Sequence, residues 1–173
     1  NENNSLVDSK SYAIKVDEIE TKNELRLKIS DNYLNELFGG GIVCGSLILF
    51  CGEPGIGKST LMLQIALSTN KLKTLYVSGE ESTNQIKMRA NRLGFTNSDC
   101  YILSETNTEK IFNQIKEISP ELIIIDSIQT LNAKSIDSSP GSISQIKENA
   151  YLLNNLAKQC SISVILIGHV NKE

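Results

Sequence analysis

Between an apolar run, Leu47 to Cys51, and a helical stretch starting near Thr60 lies Gly52-Glu53-Pro54-Gly55-Ile56-Gly57-Lys58-Ser59, which fits G-x-x-x-x-G-K-[ST]. Its glycines let successive backbone N–H groups turn inward around a phosphate, and the N-terminus of the following helix adds partial positive charge. On this reading the loop from Gly52 to Thr60 cradles a nucleotide. The Lys58 ammonium reaches the β- and γ-phosphates, and the Ser59 hydroxyl ligates magnesium (Mg2+). The plain alternative is a glycine-rich turn with Lys58 solvated, and the strand-loop-helix context argues against it. A dinucleotide loop fails, because Thr60 occupies the place of the third glycine after Gly55 and Gly57.

Phosphoryl transfer also needs a carboxylate to hold the metal at the end of a buried strand, and Leu122-Ile123-Ile124-Ile125-Asp126 supplies one. A further run, Thr74 to Ser78, leads into Gly79-Glu80-Glu81, which sets two carboxylates at the carboxyl edge of a sheet. Glu80 is the candidate base that orients and deprotonates an attacking water. The competing reading is structural, since Ser78 with Glu81 matches a capping box and either glutamate favours the positive end of a following helix. The only histidine, His169, ends the run Ile165-Leu166-Ile167-Gly168. It can sense a γ-phosphate by hydrogen bonding, or be a satisfied surface group at a strand end.

These residues need a scaffold, and the pattern around them provides one. β-type runs at Leu47 to Cys51, Thr74 to Ser78, Cys100 to Leu103, Leu122 to Asp126 and Ile162 to Gly168 alternate with stretches of helical periodicity. The helical stripes are Ile86, Ala90 and Leu93; Ile111, Ile115 and Ile118; and Ile143, Ile146, Ala150 and Leu153. Strands alternating with helices predict an α/β fold, a mostly parallel sheet with helices on both faces. Ahead of it, residues 1–29 form a polar lead-in whose alternating Leu25, Leu27 and Ile29 suit one edge strand. The core is expected over 30–173, opening with a short helix capped by Ser30 or Asp31 and ended by Gly39, Gly40 and Gly41. Ser135 to Ser144, rich in Ser, Gly and Pro, reads as an exposed loop.

Composition narrows the function classes. With 173 residues, 40% hydrophobic and 21% charged, the chain suits one globular domain. Its net charge of -3 excludes a pervasive basic field, so any DNA contact must be local. No signal-like start and no run long enough to span a bilayer appear, which points to a cytoplasmic protein without a membrane partner. Cys44, Cys51, Cys100 and Cys160 form no C-x-x-C pair and read as small buried apolar residues. Against 14 lysines there are three arginines, Arg26, Arg89 and Arg92, which leaves few for a clamp on phosphate.

Taken together these segments resemble the bacterial RadA/Sms DNA repair and recombination ATPases, a branch of the RecA-like P-loop superfamily. The likeness runs from Gly39 to Glu173 and rests on Leu37-Phe38-Gly39-Gly40-Gly41, Gly52 to Leu61 and Tyr76 to Ser82. It continues through Ile86, Arg89-Ala90, Arg92-Leu93-Gly94, Ile125 to Thr130, Ser139 to Ser142, Gly168-His169-Val170 and Lys172-Glu173. The resemblance implies an ATP-dependent motor that assembles as a homo-oligomeric ring, a hexamer, on single-stranded or branched DNA. It further implies branch migration or strand exchange in company with the recombinase RecA. It assigns Glu80 as the water-activating glutamate and His169 as the polar link between γ-phosphate and a DNA-binding loop. One DNA-contacting loop is then expected at Asn132 to Ser144, the second just beyond His169.

The family's four-cysteine zinc module, its Lys-Asn-Arg-Phe-Gly motif and its Lon-like domain have no counterpart in these residues. The chain therefore looks like a truncated ATPase core, expected to bind ATP and hydrolyse it very slowly, because the missing motif supplies a cation to the neighbouring subunit. Two other classes compete with the DNA motor. One is a RecA-like nucleotide switch acting on protein partners without DNA. The other is a small-molecule kinase, which needs a basic lid that three arginines hardly furnish.

Overall fold

The computed structural model describes residues 13–20 and 24–170. Most of the polar lead-in and the segment beyond Val170 thus lie outside the described residues. Five strands, β3 (Leu47–Gly52), β4 (Thr74–Ser78), β5 (Cys100–Ser104), β6 (Leu122–Asp126) and β7 (Ser163–His169), make one sheet in the order β3-β7-β6-β4-β5. Every pairing in it is parallel. Helices α2 (Lys58–Ser68), α3 (Thr83–Leu93), α4 (Thr108–Ile118) and α5 (Ile143–Cys160) are the crossovers. All five β-type runs read from the sequence are strands, displaced by no more than a residue or two at their ends.

Two apolar layers explain why β4 and β6 are buried along their whole length. On one face Tyr76, Leu122, Ile124, Ile165 and Ile167 pack with Met62, Leu63, Ala66 and Ile86. On the other, Leu75, Val77, Ile123, Ile125, Val164 and Leu166 pack with Ile111, Ile115, Leu153 and Ala157. Side chains alternate between the faces, so a central strand must be apolar at every position, and each fully buried Ile or Leu contributes roughly 1.5 to 3 kcal/mol.

Asp31 caps the short α1 (Asn32–Leu37), its carboxylate accepting from Leu34 N at 2.9 Å. The alternation at Leu25, Leu27 and Ile29 does not build an edge of the main sheet. Only Arg26–Leu27 is extended, as β1, and it pairs antiparallel with β2 (Ile42–Val43) in a separate two-stranded ribbon. Leu25 is exposed while Ile29 is buried in the core.

Three further expectations need correction. In α5, Ile143 is 72% exposed, and the buried positions of the first turns are Gln145 and Asn149. The reason is the loop ahead of the helix: Gln145 Oε1 accepts from Ala133 N at 2.9 Å, and its amide nitrogen lies within 3.2 Å of the carbonyls of Ala133, Ile136 and Ser138. Cys51 and Cys160 are exposed, and Cys44 and Cys100 only half-buried, so the cysteines do not behave as core residues. The capping box of α3 is formed by Ser82 and Gln85, not by Ser78 and Glu81. Ser78 sits fully buried in β4, where the backbone continues the ladder and cannot open a helix.

Candidate nucleotide-binding site

The loop after β3 turns sharply twice, with φ of 79° at Gly55 and 98° at Gly57. A Cβ at either glycine would meet nothing within 4 Å, so the left-handed backbone, not crowding, demands glycine there. Gly57 is also the N-cap of α2, and no side chain caps that helix. Its first-turn N–H groups therefore face the loop as anion donors. Lys58 is 6% exposed, and its Nζ donates to the carbonyls of Gly52 and Glu53 at 2.7 Å each. Gly55, Gly57, Lys58, Ser59, Thr60, Arg89 and His169 line one cleft of about 210 Å³.

Strand register brings the remaining groups to this cleft. Gly52 pairs with His169 across β3 and β7, and Ser78 with Asp126 across β4 and β6, while Ile125 pairs with Leu166, so β3 and β7 run two residues past the level at which β4 and β6 end. Asp126 is 4% exposed. Its Oδ2 accepts from the Tyr76 hydroxyl at 2.6 Å, while Oδ1 is buried without a partner among the described residues. The Tyr76 hydroxyl also lies 3.4 Å from the Ser59 carbonyl oxygen and accepts from Arg89 Nη2 at 3.4 Å. Burial, and after it the neighbouring Asp126 carboxylate, push the Tyr76 phenol far above its ordinary range, so it keeps its proton. Arg89 in turn forms an ion pair with Glu81 at 2.6 Å.

Glu80 stands beside His169, which lines the cleft. Its Oε1 accepts from Ser127 Oγ at 3.0 Å and lies 3.5 Å from His169 Nε2, with the side chain 51% exposed. The turn before it is fixed by Ser78 Oγ, which accepts from the backbone N–H of Glu80 and Glu81 at 3.3 and 3.1 Å. At Gly79 a Cβ would come within 2.5 Å of Thr130 Cβ, so only glycine lets the Glu80 turn lie against the 3-10 turn Ile128–Thr130. Gln129 in that turn donates from Nε2 to the His169 carbonyl at 3.1 Å, and His169 Nδ1 is buried without a partner among the described residues.

Every predicted site residue from Gly52 to Thr60, with Glu80, Asp126 and His169, thus borders one region at the carboxyl ends of the strands. Sequence reasoning missed Tyr76, Arg89, Ser127 and Gln129 as parts of it. Arg89 stands one helical turn beyond the buried Ile86, a spacing that marks it as the rim of the packed face. Glu81, read as a capping partner, pairs instead with Arg89. A cavity of about 710 Å³ between α2, α3 and β5 holds none of these site residues.

The AAA domain family matches residues 16–173. DNA repair protein RadA of Bacillus subtilis is 47% identical over 157 residues, covering 90% of this chain and 34% of that protein. The RadA proteins of Streptococcus pneumoniae and Chlamydia muridarum are 44% and 43% identical, over 98% and 95% of this chain and 40% and 36% of their own lengths. The chain thus spans little more than a third of the curated relatives it matches. A crystal structure of a KaiC-like protein from Pyrococcus horikoshii OT3 superposes with a TM-score of 0.69 at 20% identity, over 87% of this chain and 73% of that one. That likeness shows the fold, an α/β RecA-like P-loop architecture. On this family match and these identities, the chain belongs to the AAA domain family and, within it, corresponds to the ATPase core of the RadA proteins.

Proposed function

We propose that this domain binds ATP with magnesium and hydrolyses it in the service of DNA repair. One observation carries the reading: a buried carboxylate, Asp126, with an oxygen free of protein partners, stands beside a phosphate loop whose helix has no side-chain cap. Those donors fit Mg2+, a hard ion that takes hydroxyl and carboxylate oxygens. Ser59 and Asp126 would hold it, and when bound it neutralises charge on the β- and γ-phosphates. The amides of Gly55 to Thr60 and the Lys58 ammonium bind the phosphates. Glu80 takes the proton of the attacking water, while the Ser127 hydroxyl and the His169 imidazole orient its carboxylate. His169, bonded through its carbonyl to Gln129, is the residue through which γ-phosphate occupancy reaches the Ile128–Thr130 turn.

The RadA names of the relatives support a repair role for the whole protein. On this reading it acts on single-stranded or branched DNA as a hexameric ring, drives branch migration or strand exchange, and works alongside the recombinase RecA. The loop from Asn132 to Ser144, with Lys134 exposed, is the proposed DNA contact. A second reading, a nucleotide switch acting on protein partners, is favoured by that loop's single lysine and the net charge of -3.

Steady-state ATP hydrolysis with and without single-stranded DNA, across protein concentrations, separates the two readings. Turnover that rises with DNA and vanishes in Lys58→Ala supports the repair motor. Turnover indifferent to DNA but lost in Lys58→Ala favours the switch, and turnover that survives Lys58→Ala overturns the nucleotide site itself.

A further inference from the structure

We infer that Tyr76, Arg89 and Glu81 form a positioning chain that presents one oxygen of Asp126 to the magnesium ion, a role distinct from that of any group touching the nucleotide. The inference rests on the reading of Asp126 as the magnesium carboxylate. It begins with an asymmetry in that side chain. Oδ2 is occupied by the Tyr76 hydroxyl at 2.6 Å, whereas Oδ1 is buried and bonded to nothing among the described residues. A carboxylate held by one oxygen cannot rotate about its terminal bond without breaking that hydrogen bond, so the other oxygen keeps a fixed direction.

Tyr76 is itself held. Its ring is fully buried between α2 and α3, and its hydroxyl oxygen accepts from Arg89 Nη2 at 3.4 Å while its proton goes to Asp126. Arg89, with 14% of its side chain exposed, is tied from the other side by Glu81 at 2.6 Å. Glu81 holds Arg89 by charge, and hydrogen-bond direction is set at the tyrosine: Arg89 can only donate to its hydroxyl, which is left to donate to Asp126. The chain also joins the two halves of the site, since the same hydroxyl stands 3.4 Å from the Ser59 carbonyl. Glu81 follows the candidate base directly, so a single turn carries both Glu80 and the far end of this chain.

Partners that orient a metal-holding side chain typically change metal affinity 10- to 100-fold when removed. The test is a titration of Mg2+ against the 173-residue chain with a fluorescent non-hydrolysable ATP analogue, reading analogue affinity in EDTA and the Mg2+ midpoint separately. Tyr76→Phe deletes one hydroxyl at constant shape and should raise the midpoint at least 10-fold with EDTA affinity kept and a cooperative melting transition retained. Arg89→Met should raise it severalfold, with Arg89→Lys recovering part of the loss, and it decides the matter if Tyr76→Phe does not fold. A midpoint within twofold of the parent in the folded variants overturns the inference. So does an equal fall of both affinities, which marks damage to the phosphate loop. Asp126→Asn is the control: if it leaves the midpoint unmoved, the reading of Asp126 fails and takes this chain with it, whereas a shift there with none in Tyr76→Phe and Arg89→Met refutes the positioning chain alone.

Discussion

Replacing Glu80 by Gln removes the candidate base while sparing nearly everything else the side chain does. The glutamine carbonyl oxygen still accepts from Ser127 Oγ, which now stands 3.0 Å from Glu80 Oε1. What disappears is the negative charge, and with it the 3.5 Å pairing to His169. That pair is half exposed to solvent, so its loss costs about 1 kcal/mol at most and the melting temperature should move by no more than a few degrees. General-base catalysis contributes roughly 10²- to 10⁴-fold, equivalent to about 2.7 to 5.4 kcal/mol of barrier. The two effects therefore differ enough to be told apart. ATP affinity should be retained, because Glu80 is not among the residues lining the phosphate cleft. Single-turnover hydrolysis with the enzyme in excess over ATP reads the chemical step free of product release. A Glu80→Gln rate within threefold of the parent, at unchanged ATP affinity, refutes the assignment of the base.

Three other perturbations probe the scaffold. Gly79→Ala drives a methyl into the Thr130 side chain and should cost about 1 to 3 kcal/mol, seen as a melting temperature lowered by roughly 2 to 12 °C; no change would mean that the Glu80 turn is not held against Ile128–Thr130. Gln145→Ala strands the carbonyls of Ala133, Ile136 and Ser138 and the amide of Ala133, so it should destabilise by about 3 kcal/mol or more and accelerate amide exchange across residues 133–138 specifically. The backbone N–H groups of Asn107 and Thr106, with help from Lys110, hold the Glu105 carboxyl below its usual range. Its contribution is complete above the unfolded value and is lost as pH falls through the lower folded one, so the urea-unfolding gap between parent and Glu105→Gln should be constant at neutral pH and close as pH drops below about 4.5.

The strands were readable because a sheet covered on both faces demands continuous apolar runs, and Leu122-Ile123-Ile124-Ile125 has no amphipathic alternative. The phosphate loop was readable because its backbone dihedrals restrict residue type, as at Gly55 and Gly57. What stayed hidden shares one cause: it depends on partners distant in the chain. Gln145 and Asn149 are polar by type; the carbonyls of a loop that folds back over α5 make burial of Gln145 favourable, and the Gln145 carbonyl with the Thr108 hydroxyl does so for Asn149. Two S-x-x-E/Q boxes stand side by side, at 78–81 and 82–85, with the same spacing, and sequence offers no means to choose between them. The sheet chooses, because pairing of Ser78 with Asp126 keeps β4 extended to its end and leaves Ser82, at φ -71° and ψ 158°, to open α3.

Register is also what turns separate motifs into a site. Even-numbered residues of β4 and β6, Tyr76 and Ile124 among them, face α2 and α3; the odd-numbered Leu75, Val77, Ile123 and Ile125 face α4 and α5. Asp126 continues the even set and so meets Tyr76, whose hydroxyl also lies against Ser59 and Arg89 on the same side of the sheet. A slip of β6 by one residue against β4 would carry Asp126 to the opposite face, out of reach of the phosphate loop, and would expose each apolar side chain of the strand to the wrong layer. The fully buried run that fixes this register is therefore as necessary to the chemistry as the carboxylate at its end. A polar substitution at Ile124, remote from any phosphate, threatens the site through the same cause that threatens the fold.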